Sequence, residues 1–210
     1  MTLPDFDLET AAMAGGASRV CGVDEVGRGP LCGPVVAAAV ILDPARIPEG
    51  LNDSKKLTAK RREALYAQIL DMAIVGVGEA TVAEIDEINI LQASHLAMIR
   101  AIENLAVVPD FALVDGKHLP KALTLPADPV IKGDATSVSI AAASIVAKTW
   151  RDRMMATLAQ QFPGYGWERN QGYPTKEHLQ SIHRLGITPH HRRSFKPIHN
   201  ILYQAKNLTS

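Results

Sequence analysis

Residues 20–42 read VCGVDEVGRGPLCGPVVAAAVIL. An apolar run ends in two adjacent acids, Asp24 and Glu25. A tight path through Gly27, Gly29, Pro30, Gly33 and Pro34 follows, and a second apolar run takes over. Short apolar runs bounded by glycine and proline are the pattern of buried strands. The stretch therefore predicts two core strands, over 20–26 and 34–42, and residues 73–81 (AIVGVGEAT) predict a third. Short links make these three antiparallel. Further along, FALVDG (111–116) and DPVIKGD (128–134) each run from apolar residues to an aspartate at a glycine turn. Three strands are thus expected to finish in carboxylate, and the longer connections of the last two suit parallel pairing.

Helical patterns lie between the strands. Thr58 is a cap for a helix in which Leu65, Ile69 and Met72 repeat, and Ile88, Leu91, Met98, Ile102 and Leu105 repeat in another. A third spans about 136–162, where the small residues of SIAAASIVAK permit close approach to a sheet, and TKEHLQSIHRLG (175–186) starts at Thr175 and stops at Gly186. Strands alternating with helices predict an α/β fold. Residues 1–18 show no sustained period and are expected to be a flexible leader. Residues 19–162 form the core, and the glycine-, proline- and aromatic-rich residues 163–210 a small helical appendage.

The chain has 210 residues, 47% hydrophobic and 21% charged, enough for one domain with a sizeable core. Its 22 basic and 22 acidic residues balance, so any polyanion site must be local. Cys21 and Cys32 have no CxxC spacing and read as reduced, packed thiols. Neither a basic leader nor an apolar stretch of about 18 residues is present, which predicts a cytoplasmic protein with no membrane association.

Asp24, Glu25, Asp115 and Asp134 carry the chemistry. In an open α/β sheet, functional groups gather outside the carboxyl ends of strands. Four acids there repel one another unless cations intervene, and oxygen-only ligands suit Mg²⁺ or Mn²⁺. Two such ions about 4 Å apart stabilise both the attacking and the leaving oxygen of a phosphoryl displacement. Neighbouring strand residues point to opposite faces, so the glycines after Glu25 are expected to place it in the turn, free to swing toward Asp24. Gly27 and Gly29 expose backbone groups that can read a 2′-hydroxyl, and Arg28 can contact phosphate. No Gly-Lys-Ser/Thr follows, so this is not a Walker loop.

GVDEVGRGPLCGPVVAAAVIL, NDSKKL, LVDGK, the block from VIKGD to SIAAASIVAKTWRDR, GYPTKEH and HHRRSF, in that order, closely resemble bacterial ribonuclease HII. The resemblance runs from about Val20 to Pro197. It implies a ribonuclease H-like fold, a mixed five-stranded sheet flanked by helices. It also implies an endoribonuclease that acts on RNA/DNA hybrids and on DNA duplexes containing single ribonucleotides, leaving 3′-hydroxyl and 5′-phosphate ends. It assigns two divalent ions to Asp24, Glu25, Asp115 and Asp134, and ribonucleotide reading to Gly27, Arg28 and Gly29. Junction sensing falls to Tyr173 and a nucleic-acid contact to Lys55. The short leader and Arg28 within Gly-Arg-Gly favour ribonuclease HII over ribonuclease HIII, whose extra N-terminal domain is not expected here. No partner-binding extension is evident after Pro197, so a monomer without an obligate protein partner is expected. Two rivals stay open: a catalytically silent hybrid-binding module of the same fold, and a metal-dependent phosphotransferase acting on a small molecule.

Secondary candidates have two readings each. Ser137, Ser144, Lys148 and Arg151 form one helical stripe that faces either solvent or substrate, with Ser137, nearest Asp134, leaning to substrate. His190, His191, Arg192 and Arg193 suit either phosphate or structural capping. His178 and His183 are five apart, off a common helical face, and do not suit zinc. His95, in line with Leu91 and Met98, reads as packed or half exposed, and Trp150 and Trp167 read as packing residues.

Overall fold

The computed structural model describes residues 3–204. Five strands, β1 (Val20–Val26), β2 (Val35–Leu42), β3 (Ala73–Ala80), β4 (Phe111–Asp115) and β5 (Ala127–Val130), form one sheet in the order β3-β2-β1-β4-β5. β1, β2 and β3 are antiparallel neighbours, whereas β4 joins β1, and β5 joins β4, in parallel. This is the mixed five-stranded architecture the sequence predicts. The helices are α1 (Asp7–Ala14), α2 (Ala59–Met72), α3 (Val82–Glu103), α4 (Val138–Gln161), α5 (Trp167–Asn170), α6 (Lys176–Leu185) and α7 (Lys196–Gln204).

β2 is buried along its whole length. Its alternation in side-chain direction feeds two cores. Val35, Ala37, Ala39 and Ile41 meet Ala93, Ala97, Met98 and Ala101 of α3. Ala38, Val40 and Leu42 meet Leu65 and Ile69 of α2 and Ala141 to Ala143 and Ile145 of α4. Leu65 and Ile69 are fully buried, each contributing about 1.5–3 kcal/mol by leaving water. The small residues of α4 seat it directly on β1: a Cβ on Gly22 would lie 2.2 Å from the carbonyl carbon of Ser139.

Several local expectations are corrected. Residues 7–14, within the expected leader, form α1. Glu9 is buried and accepts hydrogen bonds from Ser137 Oγ (2.5 Å), Ser139 Oγ (2.5 Å) and the Ser139 N–H (3.0 Å). Ser137 therefore caps α4 and holds Glu9 instead of facing substrate. α3 begins earlier than its apolar repeat suggests, at a capping box of Thr81 and Glu84. It kinks at Asn89 (φ 68°), whose Oδ1 accepts the N–H groups of Leu91 and Gln92 and restarts the helix. Trp167 is fully buried, whereas Trp150 on α4 is only partly covered, at 42% exposed. α5, α6 and α7 share an apolar cluster with Leu31, Cys32 and Met155, so they pack on the loop that follows β1. The expectation about the tail after Pro197 falls partly on residues 205–210, outside the described residues.

Among the described residues no helix is long and apolar enough to cross a membrane. Cys21 and Cys32 are free and buried, and burial pushes each thiol up to about 12. Neither is expected to react with iodoacetamide at pH 8 until the protein is denatured, as mass spectrometry of labelled samples would show.

Candidate active site

β1 outruns β4. Its pairing with β4 ends at Val23 and Val114, whereas its pairing with β2 continues to Val26 and Val36. Asp24 and Glu25 thus lie on a strand edge open toward β4, and Asp115 is the last residue of β4. Ligand oxygens of Asp24, Glu25 and Asp115 all come within 4.8 Å of one another. Glu25 reaches this cluster from within the strand, where it pairs with Ala37, and not from the turn.

Asp134 is not at a strand end. It sits four residues past β5 in a 3-10 turn, Gly133–Ala135, beside the three clustered acids. The Gly133 N–H from this turn donates to Asp115 Oδ1 at 2.7 Å, which ties the two carboxylate-bearing segments together. Lys55, in a second 3-10 turn (Ser54–Lys56), brings Nζ to 4.0 Å from Asp134 Oδ2. Ser54 Oγ and Ser144 Oγ share a 2.8 Å hydrogen bond, and the Ser144 hydroxyl beside Asp24 works against the rise of its carboxyl pKa. Ser144 therefore points from α4 into the site, while Lys148 of the same stripe pairs with Asp152.

The electrostatics are those of an anionic pocket without enough countercharge. Burial, then the charges of Glu25 and Asp115, raise the Asp24 carboxyl well above the usual range. Burial also raises Glu25, against the pull of Arg28, whose NH1 lies 3.3 Å from Glu25 Oε1. Asp115 is raised by burial, and Asp134 by burial and by its neighbours Asp53 and Asp115. For Lys55, burial is outweighed by Asp134, Asp24, Asp53 and Asp115, and its ammonium is held more firmly than usual. The second oxygen of Glu25 is buried and has no hydrogen-bond partner. Carboxylate oxygens converging in this way, one of them unsatisfied, fit a hard divalent cation.

The loop after β1 is shaped by two arginines that the sequence did not single out for this role. Arg192 is fully buried and makes five hydrogen bonds to four carbonyls. Nε and NH2 donate to Gly33 O (2.9 and 2.8 Å), NH1 to Arg28 O (3.1 Å) and Pro30 O (2.8 Å), and NH2 to Gly27 O (2.6 Å). Arg151, 1% exposed, donates to Pro34 O, Gln171 O and Cys32 O, each at 3.1 Å. Arg151 therefore faces neither solvent nor substrate, and for His191 and Arg192 the structural reading of the basic run is the correct one. Gly27 has φ +97°, and a Cβ there would meet Arg151 Nε at 2.4 Å. On the outer side, the Tyr173 ring lies 3.2 Å from where a Cβ of Gly29 would stand. Gly27, Arg28 and Gly29 thus form a bare-backboned turn joined to the acids through Glu25 and covered by Tyr173, which is 44% exposed.

Known proteins resemble this chain along most of its length. The family profile described as Ribonuclease HII matches residues 21–198. Ribonuclease HII of Ruegeria pomeroyi is 67% identical over 204 residues, covering 97% of this chain and 87% of that protein. Among solved structures, ribonuclease H2 from Pyrococcus horikoshii OT3 superposes with a TM-score of 0.75 at 29% identity, covering 90% of this chain and 99% of that one. Bst-RNase HIII in complex with Mn²⁺ shares the fold at a TM-score of 0.68 and 21% identity, covering 94% and 73%. The matched span holds the clustered acids, the bare-backboned turn and Tyr173, and the chain belongs to the ribonuclease HII family and is a ribonuclease.

Proposed function

We propose that this ribonuclease hydrolyses the RNA strand of RNA/DNA hybrids and cuts on the 5′ side of single ribonucleotides embedded in duplex DNA. The observation that carries the reading is the junction of two features, the carboxylate cluster and the Gly27–Gly29 turn packed against Tyr173. Asp24, Glu25, Asp115 and Asp134 are the residues that would hold divalent ions. Bound there, Mg²⁺ or Mn²⁺ supplies charge neutralisation of the phosphate and an activated water, giving 3′-hydroxyl and 5′-phosphate ends. The protein's part is positioning. The Glu25 N–H orients the Asp24 carboxyl, the Gly133 N–H orients Asp115, and Lys55 balances Asp134. Backbone groups of Gly27 and Gly29, free of side chains, meet the ribose 2′-hydroxyl, and Tyr173 packs on the sugar that follows. No side-chain nucleophile is required.

The test is a DNA duplex with one ribonucleotide, incubated with and without Mg²⁺ or Mn²⁺, with the cut mapped at nucleotide resolution. A single cut 5′ of the ribonucleotide, only with metal, is expected. Binding of hybrid without any cleavage would favour the silent module, and metal-dependent turnover of free nucleotides would favour the phosphotransferase.

Lys55, its side chain 78% exposed, is expected to act on binding more than on chemistry. Lys55→Ala should raise KM several-fold and reduce the slope of log affinity against log salt by about 1. An unchanged salt slope would take Lys55 out of the interface.

A further inference from the structure

Tyr173 is held from behind. Trp167 Nε1 lies 2.9 Å from His178 Nε2. An indole nitrogen only donates, so Nε2 of His178 is a bare acceptor and the ring proton sits on Nδ1. That nitrogen is 2.9 Å from the Tyr173 carbonyl and donates to it. The neighbouring His191 completes the chain. Its Nδ1 accepts the Thr188 N–H at 3.0 Å, so its own proton sits on Nε2, 3.4 Å from the same acceptor nitrogen of His178. Two donors converge on Nε2, and Nδ1 is left with one task. His178 is fully buried, and burial lowers the pKa of both imidazoles, in keeping with neutral rings.

The Tyr173 carbonyl is therefore shared between the Thr175 N–H (2.8 Å) and a core histidine, while the Tyr173 ring lies against Gly29 of the turn that meets the ribonucleotide. Resting on the role proposed above for Tyr173, we infer that His178 is a positioning residue for ribonucleotide-junction specificity. Its Nδ1–H sets the height of the Tyr173 ring over Gly29, and its Nε2 ties that setting to the core through Trp167 and His191.

The two ring nitrogens can be separated by substitution. Asparagine places a donor near the Nδ1 position and removes the Nε2 acceptor, whereas glutamine places an acceptor near Nε2 and removes the Nδ1 donor. The readout is the ratio of kcat/KM on a duplex with one embedded ribonucleotide to kcat/KM on a uniform RNA/DNA hybrid, measured with the melting temperature of each variant. His178→Gln and His178→Ala should lower the ratio about tenfold, which corresponds to ~1.4 kcal/mol of lost discrimination. His178→Asn should keep the parent ratio although it costs more stability than His178→Gln. A ratio that follows the melting temperature through the series, or that does not move in His178→Gln, overturns the inference while leaving the Tyr173 reading in place. Tyr173→Ala, measured alongside, must lower the ratio as well, and an unchanged ratio there overturns both.

Discussion

Asp24→Asn is expected to lower turnover by on the order of 10³-fold and, at the same time, to raise the melting temperature of the metal-free protein. Both effects have one cause. Asp24 is 6% exposed and faces Glu25, Asp115 and Asp134, so its ionised form is the most strained charge in the pocket. Asparagine keeps an oxygen to accept the Glu25 N–H, which bonds Asp24 Oδ1 at 2.8 Å, and removes the negative charge that a bound cation needs. The same logic fixes the pH dependence. A carboxyl whose folded pKa is raised binds its proton more readily in the folded state, so its charge destabilises the metal-free fold above that pKa. As pH falls through the raised values toward the ordinary carboxylate range, this destabilisation is relieved. Divalent ions should relieve it at neutral pH instead, and the melting-temperature gain from Mn²⁺ should shrink with acid as protons compete for the ligands. His191 acts with the opposite sign. Burial pushes it down to about 4, so its contribution to stability is complete above its unfolded pKa near 6.5 and is lost as pH drops through about 4. Thermal melts of parent and Asp24→Asn, with and without Mn²⁺ across pH 4–8, separate the two. A metal-free variant no more stable than its parent at pH 8 would refute the repulsion argument.

Arg192→Ala should cost about 4 kcal/mol of stability, roughly 10 °C of melting temperature for a chain of this size, and most of the activity. Its guanidinium satisfies the carbonyls of Gly27, Arg28, Pro30 and Gly33 and lies over the Phe195 ring, 5.0 Å from its centroid. Truncation leaves those carbonyls buried without donors and releases the turn before Gly29. Arg192→Lys should recover only part of the loss, because one ammonium cannot reproduce a planar fork aimed at four acceptors. Differential scanning calorimetry and cleavage assays would decide, and a lysine variant as stable and as active as the parent would show that the fork geometry is dispensable.

Strand positions were legible because glycine and proline punctuate short apolar runs, and β1 to β3 fall within a residue of the expected spans. Asp24 and Asp115 were legible as acids at or near the ends of such runs. Asp134 is the instructive miss in position: VIKGD reads as one strand, but Lys132 turns left-handed (φ 57°) and the aspartate lies beyond it. What stayed hidden depends on partners far away in the chain. Glu9 looks like a solvated leader acid until Ser137 and Ser139 close on it. Arg151 and Arg192 kept two readings each because periodicity cannot say that a loop of otherwise unpaired carbonyls waits 117 and 159 residues earlier. His178, dismissed as a zinc ligand, is bonded to Trp167 and Tyr173, whose placement no helical spacing predicts.

The brace on the turn also has a place in time. A ribosome has delivered all four acids once Asp134 is synthesised, yet the donors that shape Gly27 to Gly33 arrive only with Arg151 and Arg192. A nascent chain released after Asp134 and before Arg151 carries all four acids and neither of the two guanidiniums that brace the loop.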